Sequence, residues 1–272
     1  MPELPEVETT RRGILPAVRG KTVEAVALRE RRLRWPIDPA LPALITGRPL
    51  QDIERRAKYL LFRFANGTLL VHLGMSGSLR LVTGGAPSPR KHDHVDLVFE
   101  GGVLLRYHDP RRFGCMLWID GDVSGHFLLR ELGPEPLEEG FDGNVLFKAS
   151  RGRRAAVKQL LMDGAVVVGV GNIYASEALF RAGIDPRRAA GRISAARYDA
   201  LAQAVKEVLG ESVATGGTTL RDYVDSNGRP GEFALRLNVY GRDGEGCTRC
   251  GAKIRQVRLG QRSTFFCVEC QR

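Results

Sequence analysis

The feature that most limits how this chain can fold lies at its end. Four of its five cysteines fall in the last 26 residues, as Cys247-x2-Cys250 and Cys267-x2-Cys270 with 16 residues between the pairs. That is the two-knuckle spacing of a four-cysteine structural zinc site, in which each tight turn presents two thiolates. Arg255–Leu259 and Thr264–Phe266 supply a hairpin between the knuckles. A redox dithiol would need only one such pair. The expectation is one structural Zn2+ per chain and no organic cofactor. Such a site dictates local structure and says nothing about function. Cys115 stands apart in a strand-like run and reads as a buried core thiol.

Charge narrows the partner. Lys and Arg number 41 against 31 Asp and Glu, a net +10 over 272 residues. That balance suits a polyanion such as nucleic acid, or an anionic membrane surface. No apolar run approaches the roughly 20 residues of a membrane span, and no signal peptide opens the chain. The expected location is the cytoplasm, where reduced cysteines bind metal rather than pair. The length allows one large or two moderate domains, each with its own core.

Glu6–Val18 can form a helix with Val7, Ile14, Leu15 and Val18 inward. The period then switches to two, predicting strands over Thr22–Leu28, Tyr59–Phe64, Thr68–Leu73, Val95–Phe99, Val103–Tyr107 and Cys115–Ile119. Asn66-Gly67 and Gly101-Gly102 read as two-residue hairpin turns. Many short strands behind one helix argue for a β-sandwich or barrel. Thr83–Lys91 reads as a mobile loop, and Gly133-Pro134-Glu135-Pro136 as a linker. Beyond it, helices are expected over Arg154–Met162, Asn172–Ala182 and Ser194–Ala214, with Ser194 as an N-cap. Leu220–Glu232 suits a flexible loop, and Leu235–Tyr240 returns to strand character. The fold class is α+β in two domains. The domains run 1–132 (β-sandwich), 133–150 (linker and start of the helical region), 151–235 (helical) and 236–272 (zinc hairpin).

Several stretches carry side chains with chemical potential. A proline after the initiator favours removal of Met1, which would expose a secondary amine next to Glu3. A terminal amine with a pKa of about 7.7–8.0 is partly unprotonated near neutral pH, and amines form Schiff bases with electrophilic carbon. Alone, Pro2-Glu3-Leu4-Pro5-Glu6 reads more simply as a helix entry with acids at the positive end of the dipole. Gly164–Asn172, between two predicted helices, could let backbone N–H groups approach a phosphate, with Asn172 as cap and donor and Lys158 adding charge. Alone it is a tight helix–helix turn. Arg55-Arg56-Ala57-Lys58 precedes a strand and would ordinarily be a solvated strand start. Leu73–Gly77 and Asp109–Gly114 set Met75, Arg111 and Phe113 beside glycines, where apolar groups are unusual and could wedge into a base stack.

Taken together, the string Pro2-Glu3-Leu4-Pro5-Glu6-Val7-Glu8-Thr9-Thr10-Arg11-Arg12-Gly13 resembles the N-terminus of bacterial formamidopyrimidine-DNA glycosylases. The resemblance runs in order from Pro2 to Arg272 through five motifs. It implies Pro2 as nucleophile, Glu3 as its acid/base partner, and Lys58 as an active-site residue touching phosphate and the damaged nucleotide. Met75, Arg111 and Phe113 match residues that fill the hole left by an extruded base. Gly164–Asn172 resembles the helix-two-turn-helix, where Lys158 and Asn172 match phosphate ligands, and Arg262 matches a phosphate grip on the zinc hairpin. The implied enzyme is a bifunctional glycosylase and lyase acting as a monomer on duplex DNA with oxidised purines or abasic sites. It would cut through a proline Schiff base and β,δ-elimination in base excision repair. Leu220–Glu232 resembles the family's lesion-recognition loop. Leu4, where the related endonuclease VIII enzymes typically have glycine, favours the purine branch. The rival readings are an endonuclease VIII-like enzyme for oxidised pyrimidines and a non-catalytic zinc-ribbon DNA binder.

Overall fold

The computed structural model describes residues 2–82, 88–218 and 237–272. The expected loops Thr83–Lys91 (at 83–87) and Leu220–Glu232 fall on residues outside that description. The chain separates into two units. One comprises Met1–Arg130 with the described residues of Thr215–Ala234; the other comprises Glu131–Ala214 with those of Leu235–Arg272.

In the first unit, helix α1 (Leu4–Val18) is followed by strand β1 (Val23–Leu28), the short helix α2 (Leu41–Ile45), and strands β2 (Asp52–Arg56), β3 (Tyr59–Phe64) and β4 (Gly67–His72). Strands β5 (Ser78–Val82), β6 (Asp93–Phe99), β7 (Val103–His108) and β8 (Cys115–Ile119) complete it. They form two four-stranded antiparallel sheets, ordered β1-β6-β7-β5 and β2-β3-β4-β8. Strand periodicity explains the core. Leu60 and Phe62 of β3 lie opposite Val71 and Leu69 of β4, and Val95 and Leu97 of β6 lie opposite Tyr107 and Leu105 of β7. All join one buried cluster with Val7, Ile14 and Val18 of α1. Each such side chain contributes about 1.5–3 kcal/mol by leaving water.

Two strands are invisible to periodicity, and both are sheet edges with a single partner. β2 has one core residue, Ile53, among charged neighbours, and β5 follows a glycine turn. The β3–β4 turn also shifts by one residue: Phe64 pairs with Gly67, so Ala65-Asn66 is the loop rather than Asn66-Gly67. At β6–β7 both Gly101 and Gly102 have positive φ, as expected.

Alternate residues of the β1-β6-β7-β5 sheet form a partly buried ion ladder. Asp96 accepts from Arg106 Nε and Nη2, each at 2.8 Å, and from Arg29. Asp93 faces Arg80 at 3.5 Å, Arg106 at 3.6 Å and His108 Nδ1 at 2.8 Å.

In the second unit, α3 (Gly143–Ser150), α4 (Val157–Leu161), α5 (Asn172–Arg181) and α6 (Ala195–Ala214) precede a hairpin of β9 (Arg255–Leu259) and β10 (Arg262–Phe266). α6 packs on both α3 and α5. Asp142 caps α3 by accepting from Val145 N at 2.9 Å. The expected helix from Arg154 is much shorter, because residues before it are extended. Ala156 bridges Ala189, and Ala190 N donates to Ala155 O at 2.9 Å. Gly133–Pro136 is not a free linker either. Gly133 N donates to Gly164 O at 2.8 Å, Val168 N donates to Pro134 O at 3.2 Å, and Glu135 is buried. Nor do Leu237–Tyr240 form a strand. The amides of Asn238, Val239 and Tyr240 serve a carboxylate, described below.

The ion ladder sets an expectation for acid stability. Burial alone would raise the Asp96 carboxyl, but hydrogen bonds from Arg106 and Arg29 and their charges hold it below the usual 3.8. Asp93 is lowered likewise against its burial, by the Arg90 amide, His108 and Arg106. A carboxylate lowered in the fold stabilises fully above its unfolded value and loses that contribution as pH falls through the folded one. Urea midpoints should therefore decline below about pH 4. Arg106→Met should show a shallower decline, and an unchanged profile would exclude this pairing as the cause.

Candidate functional site

The chain's beginning is built into the first unit. Pro2 is buried and Glu3 is only 3 % exposed. Glu3 is the residue before α1, and Glu6 reaches back so that its Oε2 accepts from Glu3 N at 2.7 Å. Its other oxygen accepts from Thr218 N at 2.8 Å. One carboxylate thus satisfies an orphan donor at the helix start and pins a segment more than two hundred residues away in sequence.

Lys58 sits half-buried in the β2–β3 turn, after Ala57, whose φ is +55°. Arg55 and Arg56 end β2 and, as expected, precede the next strand, β3, across this turn. Opposite this turn, Tyr59 pairs with His72. Burial, then the Lys58 and Arg34 charges, brings the His72 imidazole down to about 4. A neutral ring is what its hydrogen bond requires, since Nδ1 accepts from Gly74 N at 3.0 Å. Nothing in the sequence around His72 marks it apart from its position at a strand end.

The two glycine-flanked turns abut. Gly74 has φ +67°, and a side chain there would meet Gly114 N at 2.5 Å and Phe113 C at 2.6 Å. The bases of both turns are therefore packed backbone to backbone. Fully buried Asp109 organises the second turn, accepting from Gly114 N at 2.9 Å, Arg111 N at 3.3 Å and Tyr107 Oη at 3.3 Å. On that rigid base Phe113 is 46 % exposed, and the Arg111 guanidinium lies 4.7 Å above its ring. Met75 is half-buried. Phe113 and Arg111 therefore face outward as an aromatic–cation pair.

In the second unit the expected phosphate-binding residues have a different immediate surrounding. Lys158 is 1 % exposed, and its Nζ donates to Thr264 Oγ1 at 2.9 Å and Ser263 O at 3.2 Å. Asn172 is the first residue of α5 rather than its cap, which is Gly171. Its Nδ2 donates to the same Ser263 O at 3.0 Å and to Tyr240 Oη at 3.2 Å. The valines of the glycine-rich stretch, Val166, Val167, Val168 and Val170, are buried. Both polar residues therefore hold β10 next to Arg262. Arg262 is exposed, one step past a Gly260-Gln261 turn with φ of +50° and +63°.

The four cysteine Sγ atoms lie within 4.8 Å of one another, with 3.9 Å from Cys247 to Cys270 and 3.5 Å from Cys250 to Cys267. A tetrahedral zinc with Zn–S near 2.3 Å requires roughly 3.8 Å between sulfurs. The donor set and spacing fit Zn2+, and the site holds one structural zinc. Arg249 N points at Cys247 Sγ at 3.4 Å, and Phe180, Val239, Ile254 and Phe265 pack around the cysteines. Two anchors of this region went unread in the sequence. Glu177 accepts from three successive amides, Asn238, Val239 and Tyr240, each at 2.9 Å. Gln271 accepts from Cys267 N and donates to Ile184 O, both at 2.9 Å. The signal for Glu177 was an acid amid the apolar run Ile173–Phe180; Gln271 offered none.

Comparison with known proteins covers the same ground. Residues 1–116 match the formamidopyrimidine-DNA glycosylase N-terminal domain, 132–224 the helix-two-turn-helix domain of that family, and 244–272 the zinc finger found in it and in isoleucyl-tRNA synthetases. The chain is 58 % identical to formamidopyrimidine-DNA glycosylase of Alkalilimnicola ehrlichii and 59 % to that of Stutzerimonas stutzeri, over all of each chain. It resembles the Thermus thermophilus crystal structure at TM-score 0.89 and 41 % identity, covering 99 % of this chain and 98 % of that one. It also resembles the Lactococcus lactis enzyme in complex with abasic-site DNA, at TM-score 0.92 and 35 % identity over 99 % of each. This chain belongs to the formamidopyrimidine-DNA glycosylase family.

Proposed function

We propose that this protein is a bifunctional DNA glycosylase and abasic-site lyase that removes oxidised purines, such as 8-oxoguanine and formamidopyrimidines, in base excision repair. The observation that carries the reading is the chain start itself, with Pro2 and Glu3 buried at the head of α1 and Glu6 holding the backbone of Glu3. Segments near a chain start are ordinarily poorly ordered unless tied down, and here the Glu3 backbone is tied to Glu6. Relatives give the substrate class: the Lactococcus lactis enzyme has been solved with DNA containing a formamidopyrimidine lesion, and another relative with carbocyclic 8-oxoguanine DNA.

The damaged nucleotide must leave the duplex, since its anomeric carbon is unreachable inside the stack. With Met1 removed, the Pro2 nitrogen attacks that carbon and the base departs with the bonding pair. Glu3 protonates the sugar-ring oxygen as the ring opens, leaving an iminium. The iminium acidifies the neighbouring carbon, and successive β- and δ-elimination expel the phosphates on both sides. Lys58, near His72 in a turn of the same unit, is positioned by its charge to bind phosphate and serve that chemistry. Arg111, Phe113 and Met75 fill the vacated stack, and exposed Arg262 grips the backbone on a hairpin kept rigid by Lys158, Asn172 and zinc. Zinc supplies folding energy to that hairpin and takes no part in bond breaking. Among the described residues no helix is long and apolar enough to cross a membrane. We place the activity in the cytoplasm, on the chromosome. Paired assays on 8-oxoguanine and thymine glycol duplexes separate this reading from an endonuclease VIII-like preference.

Borohydride trapping on an 8-oxoguanine duplex tests the covalent centre. The cross-linked peptide should carry the adduct at Pro2, and protein with Met1 retained or the N-terminus acetylated should trap nothing. An adduct on Lys58 would overturn the assignment.

Glu3→Gln should abolish base excision yet spare much of the cleavage at preformed abasic sites, where an aldehyde is already present. If both activities fell together, Glu3 would be shaping the amine rather than opening the sugar.

Phe113→Ala should leave the melting temperature nearly unchanged, because an exposed ring loses little packing, unlike the roughly 3–5 kcal/mol of a core aromatic. Base extrusion costs a few kcal/mol, of which a stacked ring returns about 1–3 kcal/mol. Excision from a paired duplex should therefore slow more than abasic-site cleavage. A large drop in melting temperature with equal loss of both rates would return Phe113 to a structural role.

A further inference from the structure

In the first unit one carboxylate joins the helix that begins after Glu3 to the turn that carries Lys58. Glu8 lies five residues beyond Glu3 in α1, so helical rise sets it about 7.5 Å along the axis from that residue. Its side chain is 10 % exposed. Glu8 Oε1 accepts from Arg11 Nη2 and Arg12 Nε, both at 2.8 Å. Oε2 accepts from Arg11 Nε at 3.0 Å and from Arg55 Nε at 3.3 Å. Arg55, also 10 % exposed, uses its Nη1 to donate to Ala57 O at 3.0 Å. Arg11 adds a second tie, from its Nη1 to Ile53 O in β2 at 3.3 Å.

The carbonyl that Arg55 grips belongs to the peptide leading into Lys58. Ala57 stands there with φ +55°, a left-handed conformation unfavourable for any residue with a Cβ. Orientation of that peptide plane determines where the Lys58 side chain leaves the backbone. Glu8 has no need of Arg55 for neutralisation, because Arg11 and Arg12 on its own helix already pair with it. Arg55 reaches both the helix and the turn, which takes the planar fork of a guanidinium. Burial would raise the Glu8 carboxyl, but hydrogen bonds from Arg11 and Arg12 and the Arg11 and Arg55 charges lower it, so the clamp stays ionised.

We infer that Glu8 and Arg55 are positioning residues, which set the Lys58 ammonium relative to the Pro2 end of α1 through the left-handed peptide at Ala57. The inference rests on the reading of Pro2 and Lys58 as active-site groups. Neither Glu8 nor Arg55 is assigned contact with DNA.

The test uses the full zinc-loaded chain on 8-oxoguanine and preformed abasic duplexes, with single-turnover rates and melting temperatures. Arg55→Lys keeps a cation beside Glu8 but cannot hold both contacts. It should slow single-turnover cleavage by roughly 10–100-fold, as misplacement of a reacting group does, with DNA affinity and melting temperature little changed. In a Lys58→Ala background the same change should cost nothing further, because the two act through one group. Adding Ala57→Gly to Arg55→Lys should restore part of the rate, since glycine adopts positive φ without the clamp. A role confined to stability would show neither the coupling nor the rescue. If Arg55→Lys melts far lower, isosteric Glu8→Gln serves as the second variant, with the same rate loss and coupling expected. A wild-type rate for both variants, or equal losses with and without Lys58, overturns the inference. Full activity of Lys58→Ala would remove the reading beneath it, and the inference with it.

Discussion

The Glu6 carboxylate is the interaction on which the first unit turns. A chain terminus has no covalent restraint on one side and normally frays. Here the first described residues are buried, and the backbone of Glu3 is held by an acid one helical turn later whose second oxygen is held by Thr218. The same helix inserts Val7, Ile14 and Val18 into the core enclosed by the two sheets. Any movement of the chain start relative to the sheets would therefore break either a buried hydrogen bond or core packing, and both are costly.

Rigidity of the turns has a related origin. Exposed Phe113 and Arg111 project from a base in which Gly74 and Gly114 pack without side chains and Asp109 satisfies the turn amides. A ring this exposed is not held by apolar packing of its own. The order has to come from the backbone beneath it, and a buried carboxylate accepting amide hydrogens supplies it. Glu177 does the same work in the second unit, where three consecutive amides converge on one side chain and bring Val239 to the zinc cluster.

Lys158 is a charge buried within the second unit. A buried ammonium is tolerable only when its donors are satisfied, and two of its bonds go to Ser263 and Thr264. Asn172 adds a third bond to that strand, at the same Ser263 carbonyl. The exposed Arg262 beside them is thereby presented on a stiff strand, with the cysteine cluster holding the other end of the hairpin. The exposed charge and the bonds that fix the strand carrying it are supplied by different residues.

By itself the sequence determined the strands with clean alternation, the long helices, the four-cysteine site and the motif-bearing turns, because each depends on near neighbours in the chain. Period-two burial and CxxC spacing are local properties. Only the tertiary structure decided the rest. Edge strands β2 and β5 form because a neighbour offers hydrogen bonds, not because their own pattern demands it. Residues 154–156 are extended because Ala156 pairs with Ala189, and residues 238–240 leave strand geometry because Glu177 takes their amides. Thr218 returns to Glu6, Arg55 reaches Glu8, and Lys158 turns inward to Ser263 across 105 residues. Polar side chains form such long-range bonds only after the backbone has brought their partners within about 3 Å, and no local periodicity records where that will be.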